Sequence, residues 1–186
     1  MFAARAEVVR ALNKETERCA AKGSALALIL VELDHYDTLV HSAGQESAEQ
    51  VFDALLRAVK VHCGRDHDRV FRLSAECIAA VCPETFPSGV QHVATRIREA
   101  AEQTPTGQGD STMSISIGFA VTAPDSSDPA EALLARAERC LQSARDKGGN
   151  TVVGAATPAP PAPPPTLKSL FRKVPLPATA SRRRGD

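Results

Sequence analysis

No Cys-X-X-Cys pair occurs in the 186 residues, although five cysteines do: Cys19, Cys63, Cys77, Cys82 and Cys140. An odd number at wide spacing argues for a reducing compartment, and against both a disulfide framework and a zinc site. They read as buried small hydrophobes. No stretch reaches the roughly 20 apolar residues that a membrane span needs. Charges at Arg5 and Glu7 fall where a signal peptide would be apolar. The expectation is a cytoplasmic protein without a transmembrane segment. Net charge is missing too, with 22 Lys and Arg against 22 Asp and Glu. The balance is uneven, because the C-terminal stretch carries Lys168, Arg172, Lys173, Arg182, Arg183 and Arg184 against Asp186. Three arginines at a flexible end read as solubilising rather than as a nucleic-acid contact.

What is present is enough for one domain with a real core, plus extras. Residues 4–22 have helical spacing, with Val8, Val9, Leu12 and Cys19 on one side and Lys22-Gly23-Ser24 as a stop. "ALALILVELD" (25–34) is nearly continuous apolar sequence that ends in an acidic cluster, which predicts a strand buried on both faces. Val51, Leu55, Leu56, Val59 and Val61 mark a second helix between Gly44 and Gly64. "RLSAECIAAVCP" (72–83) holds two apolar runs broken by Ser74-Ala75-Glu76. It predicts a hairpin, roughly 69–74 and 77–82, whose rigid flanks present the groups at its tip. Pro87 and Ser88 open a third helix through Val90, Val93, Ile97 and Ala101. "STMSISIGFAVT" (111–122) alternates as a strand, with Met113, Ile115 and Ile117 on one face. Asp128-Pro129 opens a last helix through Leu133, Leu134, Ala137, Leu141 and Ala144, ended by Gly148-Gly149, and 150–153 is a short closing strand. This order predicts an α/β (α+β) fold, one mixed sheet of about five strands covered by helices.

Residues 155–186 differ from the rest. "TPAPPAPPPT" is a polyproline-II spacer that builds no core. Within it "LKSLFRKV" (167–174) places Leu167, Leu170, Phe171 and Val174 at helical spacing, a candidate docking motif for a protein partner. The division is therefore 1–154 for the domain and 155–186 for the tail.

"ALALILVELDHYDTLVHSAG", "RDHDRVFRLSAECIAAVCP", "STMSISIGFAV" and "LLARAERCLQSARDKGGN" together resemble, in order and spacing, the GGDEF domain of diguanylate cyclases over roughly 5–154. The resemblance implies a palm-like sheet. It also implies a reaction joining two GTP molecules into cyclic di-GMP, each half-site on one subunit of a dimer, by metal-assisted phosphoryl transfer. The signature falls on Ser74-Ala75-Glu76-Cys77-Ile78. Where the family has two glycines, Ser74 and Ala75 add side chains. Glu76 keeps the metal carboxylate, and Cys77 removes the following acid. The family's metal-binding Asp aligns with Glu32, its phosphate-contacting Lys with Asp37, and its guanine-binding Asn and Asp with Val40 and Glu49. Its later Lys and Arg align with Arg145 and Gly149. Placing an anion at Asp37 beside a triphosphate is repulsive. The implied active site is dismantled, with Glu32 and Glu76 as vestiges, and no cofactor is expected.

The resemblance extends to the RxxD motif at which such cyclases bind cyclic di-GMP as a feedback inhibitor. "RDHD" supplies Arg65 and Asp68, and Arg96 occupies the matching place on the next helix. An Arg fork suits guanine O6 and N7, and a carboxylate accepts from guanine's ring N–H and amino group. The bland reading stands beside this one: a charged loop with Asp68 paired to Arg65 or Arg69 at the surface, and Arg96 a solvated helix residue. Likewise Asp34 and Asp37 read as the polar end of a strand, His62, Cys63 and His67 lack a fourth partner for zinc, and Cys77 reads as an inert thiol.

Two functions follow. The first is an inactive GGDEF-like protein that receives cyclic di-GMP at Arg65, Asp68 and Arg96 and signals to a protein partner through the tail. The alternative is a nucleotide-independent interaction or scaffold module. A third reading, an active cyclase using Glu32 and Glu76, requires product from GTP. The chain begins near the family's own domain start, so no preceding dimerisation segment is expected, and a homodimer is left open.

Overall fold

The longest apolar run becomes the middle of the sheet. The computed structural model describes residues 5–107, 111–123 and 129–156, in which β1 (Leu26–Leu33) is buried along its whole length. It pairs antiparallel on one side with β3 (Cys77–Pro83) and on the other with β4 (Ile115–Val121). β2 (Arg69–Arg72) forms the hairpin with β3, and β5 (Val152–Ala156) lies parallel to β4, so the strand order is β2-β3-β1-β4-β5. A strand flanked on both edges and covered on both faces has no position that favours a polar side chain, which is why 26–31 reads as an unbroken run.

The two faces have separate cores. α1 (Arg5–Ala21) and α5 (Ala130–Asp146) bury Val8, Leu12, Leu133, Leu134 and Ala137 against Leu26, Leu28 and Leu30. α3 (Gln45–His62) and α4 (Pro87–Glu102) bury Phe52, Leu55, Val59, Val90 and Ile97 against Ala27, Ile29 and Val31. Period-2 alternation along β1 thus serves one helix pair each.

Four details differ from the sequence reading. A short helix, α2 (Tyr36–Ala43), lies between β1 and α3, separated from α3 by Gly44 at φ 86; it buries only Tyr36, so its apolar periodicity is too brief to register. β4 is shorter than 111–122, and both of its faces are buried. Ile115, Ile117 and Phe119 face the α3–α4 core, while Gly118 lies under α5, where a Cβ would come within 2.1 Å of the Leu141 backbone nitrogen. Small residues on that face let the helix sit close. Pro129 is the N-cap of α5 rather than its first helical residue. β5 runs Val152–Ala156, later and longer than the expected closing strand at 150–153. The docking motif at Leu167, Leu170, Phe171 and Val174 lies outside the described residues. Among the described residues, no helix is long and apolar enough to cross a membrane.

Candidate functional site

The signature forms the tip of the β2–β3 hairpin, at the end of the sheet where β1 finishes. Leu73 and Ser74 donate their backbone N–H groups to Cys77 O, at 2.8 and 3.2 Å, closing the turn. The Ser74 hydroxyl then accepts from the backbone N–H groups of Glu76 and Cys77, at 3.3 and 3.1 Å. A glycine here would leave those two donors for a ligand; serine spends them on its own loop. The Glu76 carbonyl accepts from Leu33 N–H at 2.9 Å, which ties the tip to the end of β1. The Cys77 thiol is buried, and burial, with the Glu32 and Glu76 charges behind it, pushes it up to about 12. It is an inert thiol at neutral pH.

Beside the tip is a cleft of about 290 Å³ lined by Glu32, Leu33, Asp34, His35, Glu76, Arg145, Gly148 and Gly149. Glu32, at the end of β1, is buried, and both of its oxygens accept from Arg145 Nη1, at 2.8 and 2.9 Å. Burying a carboxylate without a cation is costly, and Arg145 supplies the cation from the last turn of α5. The Glu76 carboxyl is raised above its ordinary value by burial first and then by the charges of Glu32 and Asp37. Asp34 is more than a strand end. Its carboxylate accepts from the hydroxyls of Ser114 and Ser116, at 2.6 and 2.7 Å, and from Asn150 N–H at 2.9 Å, joining β1, β4 and the start of β5. Gly149, at φ +79, leaves the room Asp34 needs, since a Cβ there would lie 2.8 Å from Asp34 Oδ2.

The two carboxylates that the cyclase resemblance assigns to a metal, Glu32 and Glu76, both line this cleft. Glu32 is already bound by Arg145, and among the described residues no three His, Cys, Asp or Glu side chains are grouped to hold a metal ion. Divalent magnesium needs several oxygens in octahedral arrangement.

A second carboxylate at this end is also covered. Arg72, the last residue of β2, donates from Nη1 to Glu49 Oε2 at 2.6 Å and from Nη2 to Glu49 Oε1 at 2.8 Å. The guanidinium holds the Glu49 carboxyl down at about 2. Sequence reading missed Arg72. Its signal was available: it shares the inner face of β2 with Val70, and an arginine on a core-facing strand position calls for a carboxylate partner.

At the opposite end of the sheet, Arg65 and Asp68 share the loop between α3 and β2. Asp68 Oδ2 accepts from the Arg65 backbone N–H at 3.1 Å, so the carboxylate closes its own turn and does not pair with the guanidinium of Arg65 or Arg69. Its Oδ1 is buried, and burial raises the carboxyl. Arg65 is exposed and donates from Nη1 to Thr85 Oγ1 at 3.3 Å. His62, Arg65, Asp68 and Val93 line one small cavity of about 10 Å³. Arg96, exposed on α4 one turn beyond Val93, lowers the His62 pKa, after burial, through its charge. Arg65, Asp68 and Arg96 therefore share one edge of the molecule, with Asp68 half-buried and its Oδ1 turned inward.

A five-stranded palm-like sheet with a signature hairpin at one end and an arginine-bearing loop at the other defines a nucleotide-cyclase class of domain. The family model described as "Diguanylate cyclase, GGDEF domain" matches residues 2–151, and the chain belongs to the GGDEF family. It is 26% identical over 134 residues to the diguanylate cyclase VdcA of Vibrio cholerae, covering 70% of this chain and 39% of that protein. It is 28% identical over 156 residues to the response regulator PleD of Caulobacter vibrioides, covering 78% of this chain and 32% of that protein. The chain thus spans well under half the length of these relatives. Among solved structures, the GGDEF domain of DgcB from Caulobacter crescentus in complex with c-di-GMP has a TM-score of 0.74 at 18% identity, over 82% of this chain and 91% of that one. That likeness is one of fold.

Proposed function

We propose that this GGDEF domain does not make cyclic di-GMP and instead binds it, at the edge formed by Arg65, Asp68 and Arg96. The observation that carries the reading is a contrast. The carboxylate at the family's metal position, Glu32, is neutralised by Arg145, while Arg65 and Arg96 reach solvent on one face. Two exposed guanidinium groups suit a ligand with two phosphates and two guanines, since each takes phosphate or the O6/N7 edge bidentately. Asp68 would contribute chiefly by fixing the Arg65 loop. The fold neighbour DgcB was solved with this nucleotide bound.

The test has two arms. Incubation with GTP and Mg²⁺ or Mn²⁺ yields no cyclic di-GMP, and calorimetry with cyclic di-GMP gives micromolar or tighter binding that Arg65→Ala abolishes. Product formation would overturn the first half, and absence of binding the second. In the same reading, Leu167, Leu170, Phe171 and Val174 carry the output to a protein partner. Deleting 160–186 removes partner capture and leaves nucleotide binding intact.

A further inference from the structure

β3 divides its two cysteines between the faces of the sheet. Ile78, Ala80 and Cys82 point into the α3–α4 core, while Cys77, Ala79 and Val81 point into the α1–α5 core, as strand alternation requires. Cys63, the C-cap of α3, is buried in the same core as Cys82. Both line the small cavity beside the loop that joins α3 to β2, together with Arg65, Asp68 and Thr85. There the Cys63 and Cys82 thiols are hydrogen-bonded to one another, and this bond, followed by burial, raises the Cys82 thiol above its ordinary value. The other three cysteines lie apart from this pair. Cys19 and Cys77 belong to the opposite core, and at opposite ends of it, since Cys19 O accepts from Ser24 N–H just before β1 and Cys77 pairs with Glu32 where β1 finishes. Cys140 is on α5, and all five are free thiols.

We propose that Cys63 and Cys82 form a dithiol oxidation site, at which a peroxide converts the facing thiols into a disulfide. The Cys63 thiolate attacks hydrogen peroxide, so that an S–O bond forms, the O–O bond breaks and one water leaves. The Cys82 sulfur, whose proton is held by its partner and by burial, reacts second. It loses that proton and attacks the Cys63 sulfenic acid, the S–S bond forming as the S–O bond breaks and a second water departs. Two electrons pass from the sulfurs to the peroxide, and two thiols with one hydrogen peroxide become one disulfide and two waters. The cover over the pair is thin, because residues 64–67 are all exposed. Arg65 favours the Cys82 thiolate through its charge and Asp68 opposes it. The crosslink ties the end of α3 to β3 and closes a loop of about 20 residues that holds β2 and the signature tip. In a reducing compartment such a bond is transient and reports oxidation. The inference goes beyond the binding edge proposed above and does not depend on it.

The experiment exposes the reduced full chain to hydrogen peroxide, unfolds it, caps the remaining thiols with an alkylating reagent and counts the caps by mass spectrometry. Five thiols are capped before treatment and two fewer after it, with Cys63 and Cys82 recovered in one linked peptide from a chain that runs as a monomer on a non-reducing gel. Dithiothreitol restores the full count. The oxidised protein melts about 5 °C or more above the reduced one. Cys63→Ala and Cys82→Ala each remove the linked peptide and the rise in melting temperature, whereas Cys140→Ala keeps both. If either alanine variant does not fold, the linked peptide of the wild type carries the test alone. An unchanged thiol count after peroxide, a linked peptide joining any other pair, or a crosslinked protein that melts no higher than the reduced one overturns the proposal.

Discussion

At one end of the sheet, where β1 finishes beside Glu32, two arginines are paired with carboxylates: Arg145, itself exposed, with Glu32, and half-buried Arg72 with Glu49. At the other end, Arg65 makes a single side-chain bond to Thr85 and Arg96 stands exposed on α4. The same residue type serves opposite purposes because the carboxylates differ. Glu32 projects from a buried strand, where an unpaired charge is costly, and half-exposed Glu49 meets Arg72 at the edge of the core. Asp68 satisfies itself through the Arg65 backbone N–H and leaves the guanidinium to the solvent side. Under the function proposed above, the two exposed guanidinium groups are what attract an anion to that edge.

The comparison breaks most violently in the core beneath Arg72. Phe52→Ala removes the ring under Arg72 and leaves a core cavity, so stability falls by about 3–5 kcal/mol, read as a lower denaturant midpoint with unchanged slope. Arg145→Ala leaves Glu32 buried beside Glu76 and costs about 1–3 kcal/mol. Adding Glu32→Gln recovers most of it, and the double-mutant cycle measures the coupling.

The next prediction concerns acid. Glu49 titrates at about 2 in the folded protein against 4.5 ordinarily, so between those values the unfolded chain binds more protons than the folded one. The contribution of this pair is fully present above 4.5 and is lost as pH falls toward 2. Arg72→Ala flattens that part of the stability profile. Because Glu49 is about a third exposed, the change is one of slope and not a collapse.

Smallest of all is the effect of Arg65→Ala on stability, within about 0.5 kcal/mol because the side chain is at the surface. Its affinity for cyclic di-GMP nevertheless falls about tenfold or more, equivalent to about 1.4 kcal/mol. The opposite outcome, a structural Arg65, would erase the contrast between the two ends.

The fold was legible wherever one physical demand repeats along the chain. The run at 26–33 announces a strand buried on both faces, and the helical spacing of Val51, Leu55 and Val59 announces α3. α2 escaped because eight residues with one buried side chain carry no periodicity. Position 118 shows why β4 looked one-faced: alternation with Gly118 and Ala120 reads as exposed, although small residues there reflect α5 packed close. At the site, the residues on single motifs were legible and the pairings were not. Glu32 and Arg145 lie 113 positions apart, and Arg72 and Glu49 lie 23 apart. Only the folded sheet says which arginine meets which carboxylate. Asp68 was legible as part of a motif, but its inward turn depends on the local loop hydrogen bond.

The most direct measurement is calorimetric titration of the full chain with cyclic di-GMP, on wild type and on Arg65→Ala and Arg96→Ala, alongside Arg72→Ala. The account predicts binding in wild type, loss in the first two variants, and retention in Arg72→Ala, because that residue belongs to the other end of the sheet. Binding that survives in Arg65→Ala and Arg96→Ala but disappears with Arg72→Ala would contradict it, and so would no binding at all.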